Sequence, residues 1–325
     1  MKVLVTGANG LLGHNVVLEL LNQHHSVRII VRNTKNIDFN LAKIEVFEGL
    51  FTNLETLKQA AQGCDALIHI AAVTSPNLVH YNDYHKINVE GSAKIIRVGN
   101  ELNINKIVFV SSANTIGFGN DKQLADERFK IEYPFTKSYY AQSKMAAEEL
   151  FIKDSKSPNK HIIIINPTFI IGAFDAKPSS GKLMLMGYKK WLMFIPKGGK
   201  NFVSVKAVAL AVCNSLVQGR NGERYLASGI NLSFKDFYFL LSEVENYRQH
   251  IFKIPDFILI LFGKMGDLLR KFGIKTELCS INIKQLLIRE YYSNTKAVSE
   301  LNLPETDLKL TITESIDWFK NHNMT

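Results

Sequence analysis

The chain opens with a short apolar run interrupted by glycines, followed by apolar residues at helical spacing. Residues 2–5 (KVLV) precede Thr6-Gly7, and residues 15–21 repeat apolar side chains every three or four positions. This order predicts a strand, a turn and a helix. In such a unit Gly7 lets the chain turn, Gly10 lets a ligand approach the backbone, and Gly13 lets the helix pack on the sheet. Unpaired N–H groups at the start of the helix favour a pyrophosphate, so a dinucleotide site is predicted; a glycine-rich turn without a ligand is the alternative.

Apolar runs and segments with helical spacing alternate further along the chain. Strands are predicted at residues 26–31, 44–47, 64–72, 106–110, 161–165 and 224–227, and helices at 54–61, 84–102, 139–152 and 203–216. The near-continuous apolar character of several runs is typical of strands buried on both faces of a parallel sheet. The pattern therefore predicts an α/β fold, a Rossmann-type doubly wound parallel sheet built from right-handed βαβ units.

This rhythm loosens after Pro167. Residues 177–200 mix glycine, lysine and bulky apolar side chains, and the pattern beyond residue 228 is mainly helical with a short strand near Tyr291. We predict a smaller, mainly helical substrate lobe of residues 167–199 and 228–325, interleaved with a dinucleotide-binding domain of residues 1–166 and 200–227. The apolar residues between Leu183 and Phe194 fit either an apolar pocket or helix core. The apolar run 257–262 is too short to cross a bilayer and predicts a buried or lid helix.

Composition and charge exclude several function classes. The net charge is +9, but the cations are scattered, which favours anionic ligands and gives no motif for nucleic-acid binding. The three cysteines are far apart and contain no C-x-x-C pair, so they support neither a metal nor a redox site. A strand that begins at the second residue leaves no room for a signal peptide. We therefore expect a cytoplasmic protein without stable membrane insertion and without a metal.

Residues at the predicted strand ends indicate which dinucleotide is bound. Arg32 follows the second strand directly, at the position where an acidic residue favours NAD and an arginine accommodates a 2′-phosphate. NADP is therefore favoured over NAD, although an exposed arginine at a strand end would give the same pattern. Ala71 and Ala72 close the 64–72 run and are small enough to let a ligand lie across the sheet edge.

Two residues on the 139–152 helix suit proton transfer. Tyr140 and Lys144 are four positions apart and share a face, whereas Tyr139 is rotated away from Lys144. A neighbouring ammonium group is expected to lower the phenol pKa toward useful proton transfer. Ser111 and Ser112 follow a central strand at the edge where open α/β sheets bind ligands, and a serine hydroxyl there would polarise a carbonyl. A solvated helix face is the alternative explanation of the Tyr-x-x-x-Lys spacing.

Together these segments resemble the extended short-chain dehydrogenases/reductases, a class that includes sugar-nucleotide epimerases and dihydroflavonol reductases. The resemblance spans nearly the whole chain and is carried by residues 6–13 (TGANGLLG), 68–72 (IHIAA), 88–91 (NVEG), 111–113 (SSA), 140–144, 166–168 (NPT) and 222–225 (GERY). It implies that Tyr140 is the catalytic acid/base, that Lys144 also holds the nicotinamide ribose, and that Ser112 orients the substrate oxygen. The remaining implied site residues are Asn88 for an active-site water, and Asn9, Leu11, Leu12, Pro167 and Thr168 for the cofactor. Members often dimerise through the helices around Asn88 and Tyr140, so the resemblance allows a homodimer.

The chain departs from the sugar-nucleotide pattern at several positions. Leu50 and Ser204 stand where the family usually has aspartates, and Ala113-Asn114 replaces the Asp-Glu pair of the dehydratases. Lys200 is the nearest cation to the place of a diphosphate-binding arginine. The resemblance thus favours an NADP-preferring carbonyl reductase or alcohol dehydrogenase of the dihydroflavonol-reductase-like branch, acting on a small-molecule carbonyl or alcohol. A nucleotide-sugar epimerase with bound NAD and a catalytically silent NADP-sensing regulator are the alternatives.

Overall fold

The computed structural model describes residues 1–34 and 41–325 and is built around one parallel sheet. Its strands are β1 (Lys2–Thr6), β2 (Ser26–Val31), β3 (Ile44–Glu48), β4 (Ala66–His69), β5 (Lys106–Val110), β6 (His161–Pro167) and β10 (Arg224–Ala227). Their spatial order is β10-β6-β5-β4-β1-β2-β3, and every neighbouring pair is parallel. The predicted Rossmann-type sheet is confirmed.

Helices cover both faces of this sheet. They are α1 (Leu11–Asn22), α2 (Leu54–Ala61), α3 (Tyr81–Tyr84), α4 (Glu90–Glu101), α5 (Tyr139–Asp154), and α7 (Val205–Asn214), which follows the short α6 (Gly181–Gly187) of the second lobe. Successive residues of β1 point to opposite faces: Val3 and Val5 pack with α1 and α7, while Leu4 packs with α2, α4 and α5. Both faces are therefore buried, as a doubly wound sheet requires.

The predicted helix 84–102 begins earlier and is not uniform. A π-helical turn over His85–Val89 separates α3 from α4. Such a turn inserts an extra residue into a helix and changes which side chains face the core, and it occurs frequently at functional sites. In this chain it carries Asn88, whose side chain is buried.

The second lobe contains more strands than its sequence pattern predicts. Strand β9 (Gly199–Ser204) pairs with β7 (Phe169–Ile171), β11 (Ile230–Ser233) and β13 (Arg289–Glu290), and β8 (Leu192–Ile195) pairs with β12 (His250–Lys253). The helices are α6, α8 (Phe234–Val244), α9 (Asp256–Lys271), α10 (Ser280–Leu287) and α12 (Leu308–Asn321). Helix α11 (Thr295–Leu301), which lies between α10 and α12 in the chain, instead packs on β10 of the parallel sheet and on α7. Stacked rings of Phe202 and Phe237, 4.2 Å apart, join β9 to α8 in the core of this lobe.

Two boundary predictions were wrong. The helix predicted at 203–216 begins only at Val205, because Val203 belongs to β9 and pairs with Ile170. The strand predicted at 64–72 is limited to β4, because the N–H groups of Ile70 and Ala71 bond to the Thr6 side chain. The run 257–262 lies in α9, a helix as predicted, but most of its side chains are exposed.

Leu259 is the buried residue of that run, whereas the Phe257 side chain is 71% exposed. Among the described residues, no helix combines the length and the apolar character that crossing a bilayer requires.

Candidate active site

The glycine turn between β1 and α1 is crowded at Gly7 and Gly13 and open at Gly10. Gly7 has a φ of +79°, and a Cβ there would lie 2.7 Å from the backbone nitrogen of Ala71. A Cβ at Gly13 would lie 2.0 Å from the Gly7 carbonyl oxygen, so α1 packs directly on the turn. At Gly10 the nearest described atom to a Cβ is that same oxygen, at 3.5 Å. Space for a ligand therefore remains beside Gly10.

Helix α1 starts without a side-chain cap from any described residue. The N–H groups of Leu11, Leu12 and Gly13 lie in its first turn, where an α-helix offers no carbonyl partner. Asn9 and Gly10 are exposed in front of them. Unpaired donors and the positive end of the helix dipole at one place fit the pyrophosphate of a dinucleotide.

Thr6 and His69, for which no role was predicted, join the ends of β1 and β4. Thr6 Oγ1 accepts hydrogen bonds from the backbone N–H groups of Ile70 and Ala71, both at 3.2 Å, and lies 2.8 Å from His69 Nδ1. The His69 ring is buried, which lowers its pKa to about 3 and leaves it uncharged at neutral pH; the nearby Lys144 acts in the same direction. This pair orients Ala71 against the glycine turn.

Arg32 lies at the carboxyl end of β2, beside the end of β1. Its side chain is exposed, and no described carboxylate pairs with it. The neighbouring Glu48 is instead engaged with Thr34, whose N–H and hydroxyl both donate to Glu48 Oε1, at 3.1 and 2.9 Å. An uncommitted guanidinium at this strand end is suited to an anionic group.

Ser112, Tyr140 and Lys144 come together at the carboxyl end of β5. Ser112 follows the strand and lies beside the Tyr140 side chain, whereas Ser111 is only 6% exposed. Lys144 is buried one turn further along α5. Its Nζ donates to the Val110 carbonyl at 2.7 Å and lies 4.2 Å from the centre of the Phe109 ring.

Burial sets the protonation of this group. It lowers the pKa of Lys144 to about 7, against the opposing attraction of Glu148. It also raises the pKa of Tyr140, and the nearby Ser112 side chain works in the opposite direction. The net pKa of Tyr140 is therefore raised, where the sequence predicted a lowered one, because desolvation dominates.

Asn88 ties three segments together. Its Oδ1 accepts from the Val73 N–H at 2.8 Å, and its Nδ2 donates to the Val73 carbonyl at 3.0 Å and to Ser143 Oγ at 2.9 Å. Ser143 Oγ in turn donates to the Tyr140 carbonyl at 2.8 Å. Both amide hydrogens are thus engaged, and one lone pair of Oδ1 is left for the predicted water.

Glu148 forms a buried polar support that sequence reasoning missed. Its Oε1 accepts from Asn166 Nδ2 at 2.6 Å and from Thr115 Oγ1 at 2.7 Å, and Asn166 also donates to the Ser112 carbonyl at 3.1 Å. Burial raises the Glu148 pKa, although the hydrogen bonds and Arg224 oppose this shift. The signal in the sequence was the spacing, since Glu148 lies one further turn beyond Lys144 on the same face of α5.

The remaining predicted residues lie at the same sheet edge. Pro167 ends β6, and Thr168 Oγ1 donates to Asn201 Oδ1 at 2.6 Å. Tyr139, by contrast, is 43% exposed and packs edge-on against Tyr81. The structure thus places the predicted residues along the carboxyl ends of neighbouring parallel strands, where open α/β sheets bind ligands.

Known proteins are similar to this chain in sequence and in fold. The family model described as "NAD dependent epimerase/dehydratase family" matches residues 3–207. A Synechocystis sp. protein named "Putative dihydroflavonol 4-reductase" is 28% identical over 326 residues, 98% of this chain and 94% of the relative. A Stigmatella aurantiaca protein named 4-hydroxy-2-methyl-3-oxo-4-farnesyl-3,4-dihydroquinoline-1-oxide ketoreductase is 28% identical over 264 residues, 78% of this chain and 76% of the relative. The crystal structure of gox2253 superposes with a TM-score of 0.85 at 26% identity, covering 100% of this chain and 99% of that one.

Proposed function

The chain belongs to the NAD dependent epimerase/dehydratase family and is an NAD(P)-dependent oxidoreductase, and we propose that it acts as a carbonyl reductase or alcohol dehydrogenase of the dihydroflavonol-reductase-like type. The observation that carries the proposal is the grouping of Ser112, Tyr140 and Lys144 at the sheet edge where the glycine turn also lies. Relatives named as reductases support the same reaction class.

Each of the three side chains suits one task in carbonyl reduction. The nicotinamide supplies the hydride when it is bound. Ser112 would donate a hydrogen bond to the substrate oxygen, and Tyr140 would deliver the proton to that oxygen. Its raised pKa keeps the phenol protonated at neutral pH, which is the form that reduction needs.

Lys144 would act through its charge. With a pKa of about 7, it is about half protonated at neutral pH. The protonated form stabilises the phenolate that Tyr140 leaves after giving up its proton, since opposite charges attract strongly in a buried site. The glycine turn would hold the pyrophosphate through the N–H groups of Leu11, Leu12 and Gly13.

The surroundings of Lys200 support a reductase over a nucleotide-sugar epimerase. A sugar diphosphate needs cations that are free to bind it. Lys200, the cation nearest the expected place, is ion-paired with Glu290 of β13, and both side chains are largely buried. Its charge is therefore already neutralised within the protein.

Removing the Tyr140 hydroxyl tests the proposed reaction. Tyr140→Phe should lower turnover by about 10²–10⁴-fold, because only the transition-state proton is lost. NADPH binding, measured by fluorescence titration, should stay nearly unchanged. Tyr139→Phe is the matched control and should keep full activity, since its exposed ring lies on another face of α5.

The assay follows cofactor oxidation over a panel of aldehydes, ketones and nucleotide sugars. Full activity of the Tyr140→Phe variant would refute the assignment. Interconversion of a nucleotide sugar without net cofactor consumption would favour the epimerase instead.

We further propose that NADPH is preferred over NADH, because Arg32 is exposed and has no carboxylate partner among the described residues where a 2′-phosphate would lie. Arg32→Ala should lower the affinity for NADPH by about 10–100-fold, which is the contribution of a charge-assisted hydrogen bond. NADH affinity should change little, and Arg97→Ala, an exposed arginine on α4, should affect neither cofactor. Equal losses for both cofactors would contradict the 2′-phosphate role.

A further inference from the structure

Helix α9 presents an apolar stripe to solvent. Phe257, Leu261, Met265, Leu268 and the following Phe272 are between 51% and 75% exposed, and their spacing places them on one side of the helix. The opposite side is buried, because Leu259, Gly263 and Gly266 face inward. Gly263 lies against Ser280 of α10, and Gly266 lies against Leu278, which precedes α10. The stripe therefore contributes nothing to the core of the lobe.

More exposed apolar residues lie on the strand pair that leads into α9. Phe194 of β8 and Phe252 of β12 are 61% and 54% exposed, stand opposite each other in register, and have ring centres 6.1 Å apart. Trp191, which precedes β8, is 68% exposed. Lys197 beyond β8 is paired with Asp256 at the start of α9, so the strand pair and the helix are joined. Exposed apolar surface concentrated in this way marks an interaction site.

The charges around the stripe are positive. Lys264 and Lys271 border it, and Lys275 follows α9. None of these three has a carboxylate partner within the described part of the chain, and Asp267, the one acidic residue in 257–275, accepts a hydrogen bond from the Ser280 N–H. Aromatic and aliphatic side chains bordered by lysines match the surface of a bilayer with anionic headgroups.

We propose that the stripe on α9 and the exposed face of the β8–β12 pair dock on the surface of an anionic lipid bilayer. The helix would lie in the plane of the interface, with its apolar side chains among the acyl chains and its lysines at the headgroups. A second copy of this chain is a poorer occupant, because a two-fold contact would bring the same unpaired lysines of both copies together.

The side of α9 away from the stripe contacts a segment that leads toward the proposed active site. Arg270 of α9 donates to the Pro76 carbonyl at 2.8 Å, in the segment before α3. The Tyr84 ring of α3 lies 6.4 Å from the Tyr140 ring. The docking itself does not depend on the proposed reaction, so its test uses no substrate.

Vesicle co-sedimentation of the full chain tests the proposal. Phosphatidylcholine vesicles with about 30% phosphatidylglycerol should bind the protein at about 50 mM salt, and binding should weaken at about 500 mM salt as screening increases. Vesicles of phosphatidylcholine alone should bind at least tenfold more weakly. The emission of Trp191 should shift to shorter wavelength with the anionic vesicles.

Two pairs of substitutions separate the apolar and the charged contributions. Leu261→Asp with Leu268→Asp should lower binding at least tenfold, whereas Leu310→Asp, an exposed leucine on α12, should not. Lys264→Glu with Lys271→Glu should lower vesicle binding about fivefold or more for each lysine replaced. Lys156→Glu, at an exposed lysine outside the stripe, should leave vesicle binding unchanged. Thermal melting of each variant checks folding, and the charge pair keeps the test valid if the aspartate pair unfolds.

Four outcomes would overturn the proposal. They are an absence of binding to anionic vesicles at low salt, equal binding to both vesicle types, and unchanged binding of both variant pairs. The fourth is that the protein does not bind vesicles and forms a dimer in solution that Leu261→Asp dissociates. The face would then belong to an interface between two copies.

Discussion

Replacing Lys144 with methionine should change how the stability of the protein depends on pH. Lys144 is 2% exposed, and burial lowers its pKa from 10.5 to about 7. Between these two values the unfolded chain binds a proton that the folded chain does not. Burial of protonated Lys144 therefore destabilises the folded protein most below pH 7, and stability rises as the pH increases from about 7 toward 10.5. Lys144→Met removes this contribution because methionine does not ionise.

The size of the effect follows from the two pKa values. Linkage predicts that the free energy of unfolding of the native chain gains about 2 kcal/mol, relative to the variant, between about pH 7 and pH 9. Contributions from titrating groups that do not interact with Lys144 are shared by both chains and cancel in the difference. A methionine of similar length also keeps the packing on the Phe109 ring, where the ammonium now lies.

Equilibrium urea unfolding at about pH 7, 8 and 9 measures this difference, with circular dichroism and tryptophan fluorescence as coincident probes. Lys153→Met, on the exposed side of the same helix, is the matched control and should run parallel to the native chain. If the native chain and Lys144→Met also run parallel, Lys144 is not desolvated as the structure indicates. Lys144 would then be almost fully protonated at neutral pH, instead of about half protonated.

Further predictions concern the turn and the buried glutamate. Gly13→Ala should destabilise the protein by about 1–3 kcal/mol in thermal melting, because its Cβ would meet the Gly7 carbonyl oxygen at 2.0 Å. Gly10→Ala should leave the melting temperature unchanged and yet lower the affinity for NADPH in a fluorescence titration. Equal melting temperatures of Gly13→Ala and Gly10→Ala would contradict this. Glu148→Gln should shift the fall in kcat/KM for reduction to lower pH, because the Glu148 charge holds the Lys144 pKa up, and an unchanged pH profile would argue against the contact.

The cofactor turn was predictable because its chemistry is local. A strand, a positive φ at Gly7 and a helix starting at Leu11 all lie within a few residues, and the apolar spacing identifies each of them. The parallel sheet followed from the repeated alternation of strands and helices. The shared face of Tyr140 and Lys144 followed from helix periodicity alone. The catalytic and cofactor roles of the individual residues stay predictions.

Contacts between distant segments could not be predicted in the same way. Val203 was assigned to a helix by its spacing, but pairing with Ile170 places it in a strand. Lys200 was a potential diphosphate ligand until Glu290, far along the chain, came to lie against it. Asn88 bonds to Val73 and Ser143 because a π-helical turn directs its side chain toward both.

The sequence by itself determined the fold class, the glycine turn and the spacing of the Tyr140–Lys144 pair, because backbone geometry and periodicity depend on neighbouring residues. Tertiary structure alone decided what surrounds each side chain. It buried Lys144 beside Phe109 and thereby lowered its pKa instead of that of Tyr140. It also left the apolar stripe of α9 facing solvent, where the sequence had predicted a buried or lid helix. Desolvation and exposure depend on packing between distant segments, and no local pattern encodes them.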